Sequence, residues 1–168
     1  MCKAAFAGSF DPPTFGHFDI IKRAAALFGN LVVIVAHNAE KACLFSAEER
    51  QFMLSSFIKA QSNINVIICP AGTMLVDCLR KNDVNTLVRG VRNGFDFTYE
   101  LETARVNEIF FSGLETIFLP SRPELTAVRS SAVRELAAYN ADISQFVPKE
   151  VAAAIQKKLT GKSYENYI

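Results

Sequence analysis

Residues 3–28 read KAAFAGSFDPPTFGHFDIIKRAAALF. The first six form a short apolar run, the pattern of a strand buried on both faces. From residue 17 onward Phe18, Ile21, Ala25 and Phe28 recur at three- and four-residue spacing, which predicts a helix over 17–28 with one buried stripe. Between the two, Asp11-Pro12-Pro13 makes a rigid turn, and Gly16-His17 stands at the join with the helix. Strand, turn and helix in that order make one βα unit.

The rest of the chain repeats the unit. Residues 31–36 (LVVIVA), 64–69 (INVIIC), 85–89 (NTLVR) and 115–119 (ETIFL) read as further strands. Helices are predicted over about 47–59, where Ser46 and Glu49 form a capping box, and over 73–81, about 96–111, Ser130–Ala138 and Pro148–Leu159. Strand alternating with helix means right-handed crossovers and a parallel sheet. The expected fold is α/β: a single Rossmann-like domain with a five-stranded parallel sheet and helices on both faces. No linker or repeat divides the chain, and 160–168 reads as a loosely held tail.

Bulk properties narrow the function. The chain has 168 residues, half of them hydrophobic, with 18 basic and 17 acidic side chains for a net charge of +1. That balance argues against a nucleic-acid or anionic-membrane partner. No apolar run reaches the ~20 residues that span a bilayer. Four cysteines without metal-type spacing, and no leader sequence before them, point to a reducing compartment, the cytoplasm.

In parallel sheets ligands bind beyond the carboxyl ends of the strands, where strand order reverses. The chemically suggestive residues fall there. Gly8 and Gly16 flank the first turn and leave room near a helix start whose free N–H groups favour an anion. Lys41 follows the second strand. The fourth runs into RGVRNGFDFTYE, residues 89–100, with Arg89 and Arg92 as a forked anion site. After the fifth, Arg129 precedes Ser130 and Ser131 at another helix start. Each feature alone also fits an ordinary loop, a surface ion pair or an N-cap. Together they describe a pocket for polyanions and phosphoryl or nucleotidyl transfer by positioning and charge stabilisation, without a covalent nucleophile. Neither a P-loop nor a GxGxxG fingerprint is present.

GSFDPPTFGH resembles the G[TS]FDPxTxGH signature of the nucleotidyltransferases with an (H/T)xGH motif. RGVRNGFDFTYE followed by Asn107, then SSAVREL and VPKEVAAAI, is similar to the corresponding segments of the bacterial phosphopantetheine adenylyltransferases, and the resemblance covers about residues 1–159. It implies transfer of AMP from ATP to 4′-phosphopantetheine, giving dephospho-coenzyme A and pyrophosphate, with Mg2+ and a homohexamer. By the same resemblance Ser9 and Phe10 meet ATP, with Ser9 also near the acceptor phosphate. His17 stabilises the transition state at the α-phosphate. Lys41 and Arg89 hold the acceptor phosphate, and Leu75 and Asn107 hold the pantetheine arm. Gly90, Val91, Arg92 and Glu100 surround adenosine and triphosphate, and Leu125, Thr126, Ala127, Val128, Arg129, Ser130 and Ser131 complete the ATP site. The sequence departs from the family at Ser9, where threonine is usual, at Ala7 in place of a proline, and at Arg129 in place of a serine. Two other functions compete: transfer to a mononucleotide or glycerol phosphate acceptor, and a nucleotide-binding module without catalysis.

Overall fold

The computed structural model describes residues 3–36 and 42–162. Strands β1 (Ala4–Gly8), β2 (Leu31–Val35), β3 (Ile64–Ile68), β4 (Thr86–Val91) and β5 (Glu115–Pro120) form one all-parallel sheet in the order β3-β2-β1-β4-β5. Helices α1 (Phe15–Phe28), α2 (Ala47–Ile58), α3 (Leu75–Lys81) and α4 (Gly94–Phe110) make the crossovers. A 3-10 turn (Pro123–Leu125), α5 (Ser130–Ala138) and α6 (Lys149–Lys162) complete the described chain.

The period-2 geometry of a strand sorts the apolar runs onto two faces. Phe6, Leu31, Val33, Val35 and Val88 pack with Phe18, Ile21, Leu54 and Ile58 of α1 and α2 on one side. Ala5, Ala7, Val32, Ile34 and Leu87 pack with Val76 and Leu79 of α3 on the other. A third cluster, with Met53, Val133, Val151 and Ile155, fastens α5 and α6 to α2. β2 is buried throughout and β1 is buried up to Gly8, whereas β3 and β5 are edge strands and only partly so.

The ends of elements correct the sequence reading where caps decide. α1 starts at Phe15, two residues early, because Thr14 caps it and the Phe15 N–H is taken by the Phe146 carbonyl at 2.9 Å. β4 runs to Val91 because its pairing with β5 continues to Val91 opposite Pro120. α3 starts at Leu75 with Met74 as its N-cap. The Asn93 side chain accepts from the Asp96 N–H at 3.0 Å and starts α4 at Gly94. α6 continues through residue 162, so 160–162 are helix rather than tail; the rest of the predicted tail lies outside the described residues. The Ser46–Glu49 capping box is present, at 3.2 and 2.8 Å.

Helix α4 differs from the others: none of its residues is buried. Phe97 meets Phe118 of β5 edge-on at 5.1 Å, but Phe95 is 90 % exposed and Ile109 79 % exposed.

Candidate active site

Strand order reverses between β1 and β4, and a pocket of about 400 Å3 opens beyond their carboxyl ends. Its walls include Gly8, Ser9, Thr14, Gly16, His17, Arg89, Gly90, Arg92, Glu100, Leu125 and Val128. A larger groove of about 1240 Å3 between α2 and α6 is lined chiefly by Phe45, Phe52, Met53, Phe57 and Val151. Its charged lining residues are Glu48, Glu49, Glu150, Lys157 and Lys158, with Lys158 paired to Glu49, so the groove offers no cationic surplus and the polyanion reading belongs to the smaller pocket.

His17 is held in one tautomer. The Thr14 backbone N–H donates to its Nδ1 at 3.0 Å, and the Thr14 hydroxyl lies 3.0 Å from the same nitrogen. A nitrogen that accepts carries no proton, so the proton of the neutral ring is on Nε2. The Phe10 ring packs edge-on against the imidazole, with centroids 5.0 Å apart. Burial, with the nearby Arg92 charge adding to it, lowers the His17 pKa from 6.5 to about 4. The ring is therefore a neutral N–H donor across the physiological range.

The lowered pKa has a stability consequence. The unfolded chain takes up a proton at this residue near pH 6.5, and the folded chain only near pH 4. His17 therefore opposes folding progressively as pH falls from 6.5 towards 4, and has no such effect above 6.5. Between pH 7 and pH 5 the unmodified chain should lose about 2 kcal/mol more than His17→Gln. Urea unfolding at the two pH values checks this; equal losses in both proteins would contradict it.

The two pocket arginines are already partnered. Arg89 Nε and Nη2 donate to the two oxygens of Glu100, each at 2.6 Å, and Nη1 donates to the Ala7 carbonyl at 2.9 Å. Three of its five N–H groups are used and two remain for a ligand. Arg92 Nε donates to Asp96 at 2.5 Å. Burial pushes the Asp96 carboxyl up, but the Arg92 hydrogen bond and charge, with Arg129 contributing, hold it below the usual carboxylate range. Both guanidinium groups of the forked anion site expected from the sequence are thus oriented by carboxylates of α4.

The turn before α1 is built from buried polar groups. Asp11, 3 % exposed, accepts from the Leu44 and Phe45 N–H groups at 2.8 and 2.9 Å, and Arg134 reaches its carboxylate at 3.3 Å. The peptide bond between Asp11 and Pro12 is cis. Phe10 has φ +49°, a conformation costly for an aromatic residue, and its ring is wholly buried against Phe6 and His17. A Cβ on Gly8 would come within 3.1 Å of that ring. Gly8 therefore makes room for Phe10 as well as for any ligand, and the Phe10 side chain packs in the core against His17.

Of the residues singled out in the sequence, the structure gathers Ser9, His17, Arg89, Gly90, Arg92, Glu100, Leu125 and Val128 around one pocket. Leu75 begins α3 and Asn107 lies in the last turn of α4, and neither lines it. Val91, Thr126, Ala127, Arg129 and Ser131 are outside its wall as well. The Ser130 hydroxyl donates to the Pro12 carbonyl at 2.8 Å, and Arg129, not Ser130, is the N-cap of α5. Lys41 lies outside the described residues. Tyr99, beside Glu100 in the RGVRNGFDFTYE stretch, also lines the pocket, and Asp96 and Ser121 do so without having been anticipated; the spacing of Asp96 four residues after Arg92 on a helix start was the available signal.

Residues 5–136 match the cytidylyltransferase-like family, which puts this Rossmann-like sheet and its pocket in the nucleotidyltransferase class. A solved structure from Vibrio parahaemolyticus, assigned as a nicotinate-nucleotide adenylyltransferase, shares the fold with a TM-score of 0.65 and 17 % identity, covering 96 % of this chain and 93 % of its own. Closer in sequence, the phosphopantetheine adenylyltransferase of Thermotoga neapolitana is 42 % identical over 156 residues, 93 % of this chain and 96 % of the relative. That of Treponema pallidum is 44 % identical over 158 residues, 94 % and 98 % of the two chains. That of Lactobacillus acidophilus is 41 % identical over 159 residues, 95 % and 98 %. The chain belongs to the phosphopantetheine adenylyltransferase family.

Proposed function

We propose that this enzyme transfers AMP from ATP to 4′-phosphopantetheine, giving dephospho-coenzyme A and pyrophosphate. The observation that carries the mechanism is the His17 tautomer: with Nδ1 occupied by the Thr14 N–H, the Nε2–H is the group left to donate to a phosphate. The acceptor phosphate, largely dianionic near neutral pH because its second pKa is about 6, attacks the α-phosphorus directly and needs no general base. Pyrophosphate leaves from the opposite side. His17 donates to an α-phosphate oxygen as charge grows there, and Arg92 adds positive potential beside it. Arg89, held rigid by Glu100, offers its two remaining N–H groups to the acceptor phosphate.

Asp96 and Glu100, the two pocket carboxylates, are each committed to an arginine. Mg2+ therefore fits this pocket as part of the Mg·ATP substrate, held by the triphosphate oxygens, with few or no protein carboxylates. Among the described residues no helix is long and apolar enough to cross a membrane, and the thiols at Cys43, Cys69 and Cys78 are free. The free thiols support a reducing compartment, the cytoplasm.

A pyrophosphate-release assay with a panel of acceptors tests the reading. Turnover with 4′-phosphopantetheine and none with dephosphorylated pantetheine is expected. Preference for nicotinate mononucleotide or glycerol phosphate would assign a sister activity. Release with no acceptor in the panel would overturn the proposal.

The exposed apolar face of α4 supports a homo-oligomer, a hexamer by family resemblance. Phe95, Ile109 and Phe110 stand in water in the single chain, an arrangement that marks an interaction surface. Sedimentation at micromolar protein should show a multiple of the 18.6 kDa chain; a monomer throughout would remove this expectation.

A further inference from the structure

The loop from β1 to α1 turns its carbonyls onto donors from outside it. Gly8 O accepts from the Ala36 N–H at 2.8 Å, Ser9 O from Arg50 Nη1 at 2.6 Å, Asp11 O from Arg134 Nη1, and Pro12 O from Ser130 at 2.8 Å. Across a trans peptide the C=O of one residue and the N–H of the next point in opposite directions. A Gly8 carbonyl aimed at β2 therefore aims the Ser9 N–H towards β4, across the crevice where the pocket lies. A Ser9 carbonyl aimed at α2 likewise turns the Phe10 N–H away from α2.

Arg50 is an unusual investment. It is 2 % exposed, and its hydrogen-bond partners among the described residues are two carbonyls, Ser46 at 3.1 Å and Ser9 at 2.6 Å. Burying a permanently charged guanidinium is costly, and a carbonyl pair needs only a neutral donor to be satisfied. Arg134 repeats the arrangement from α5, gripping both the carbonyl and the carboxylate of Asp11. The two arginines thus hold Ser9 and Asp11, the residues on either side of the strained Phe10 whose ring supports His17.

We propose that Arg50 and Arg134 are positioning residues for the transfer: Arg50, by holding the Ser9 carbonyl, aims the Phe10 N–H, and the two arginines together fix the residues on either side of Phe10 and so, through its ring, the His17 imidazole that faces the α-phosphate. This rests on the adenylyl-transfer reading above. Lysine keeps the charge but cannot reproduce the planar fork that spans two acceptors. In Arg50→Lys and Arg134→Lys, kcat should fall about 10- to 100-fold at a temperature where melting curves show both folded, because small misplacements of a catalytic constellation carry penalties of this order. Leu114→Ala, buried on the other sheet face at the end remote from the pocket, supplies a destabilised control that should keep its kcat per folded molecule. A kcat within about threefold of the unmodified chain in either arginine variant overturns the proposal, as does an equal loss in Leu114→Ala. If Arg50→Lys does not fold, Arg134→Lys decides by the same readings. Absence of product from the unmodified chain would instead overturn the reaction itself.

Discussion

His17→Ala should fold, bind ATP within a modest factor and turn over about 10²–10³-fold more slowly, the usual consequence of removing one donor to a developing oxyanion. The loss should fall on kcat because the Nε2–H bond strengthens as charge moves onto the α-phosphate oxygens. A general-base role would give rescue at high pH or by added imidazole, but a ring whose Nδ1 already accepts from Thr14 and whose Nε2 is protonated has no lone pair to spare. A purely structural role would give a lower melting temperature with activity per folded molecule preserved. Loss of the His17 acceptor for the Thr14 N–H should cost about 1 kcal/mol in any case. Steady-state kinetics across pH beside a melting curve separate the three, and near-normal kcat in a folded His17→Ala protein would sink the mechanism.

Arg89→Gln should raise the acceptor KM and lower kcat/KM for the acceptor about 10- to 100-fold, the worth of one charged, multiply bonded contact. ATP affinity should change much less. The same substitution strands Glu100 as a half-buried carboxylate without its cation, so the double variant Arg89→Gln, Glu100→Gln should recover stability but not acceptor use. Acceptor kinetics in both proteins, with urea unfolding, check the pair. Recovery of acceptor use in the double variant would mean that Arg89 serves only to neutralise Glu100.

The architecture was legible because the strands carry their signal locally. Runs such as LVVIVA can be satisfied only by burial on both faces, and the alternation with helices then permits little but a parallel sheet. The pocket was legible for a different reason: in such a sheet the ends of strands converge, so residues distant in sequence, His17 and Arg89, meet beyond β1 and β4. What escaped the sequence was the pairing state of the charges. Arg89 and Glu100 look like two separate ligands in RGVRNGFDFTYE, and only the start of α4 at Gly94 brings them to 2.6 Å. Arg50 was invisible because nothing in its helix distinguishes a buried arginine from a solvated one. Its role depends on the Ser9 carbonyl, 41 residues away. The burial of the Phe10 ring was equally hidden, since a loop position after a strand does not reveal that its side chain turns into the core.

The central claim is a single displacement at the α-phosphorus, with the acceptor phosphate as nucleophile and no enzyme-bound nucleotide. The most direct test uses one diastereomer of ATP carrying sulfur at the α-phosphorus, with 4′-phosphopantetheine as acceptor and analysis of the configuration in the product. In-line attack of the acceptor inverts that centre. The account predicts inversion; retention, the signature of two successive displacements through a covalent intermediate, would contradict it.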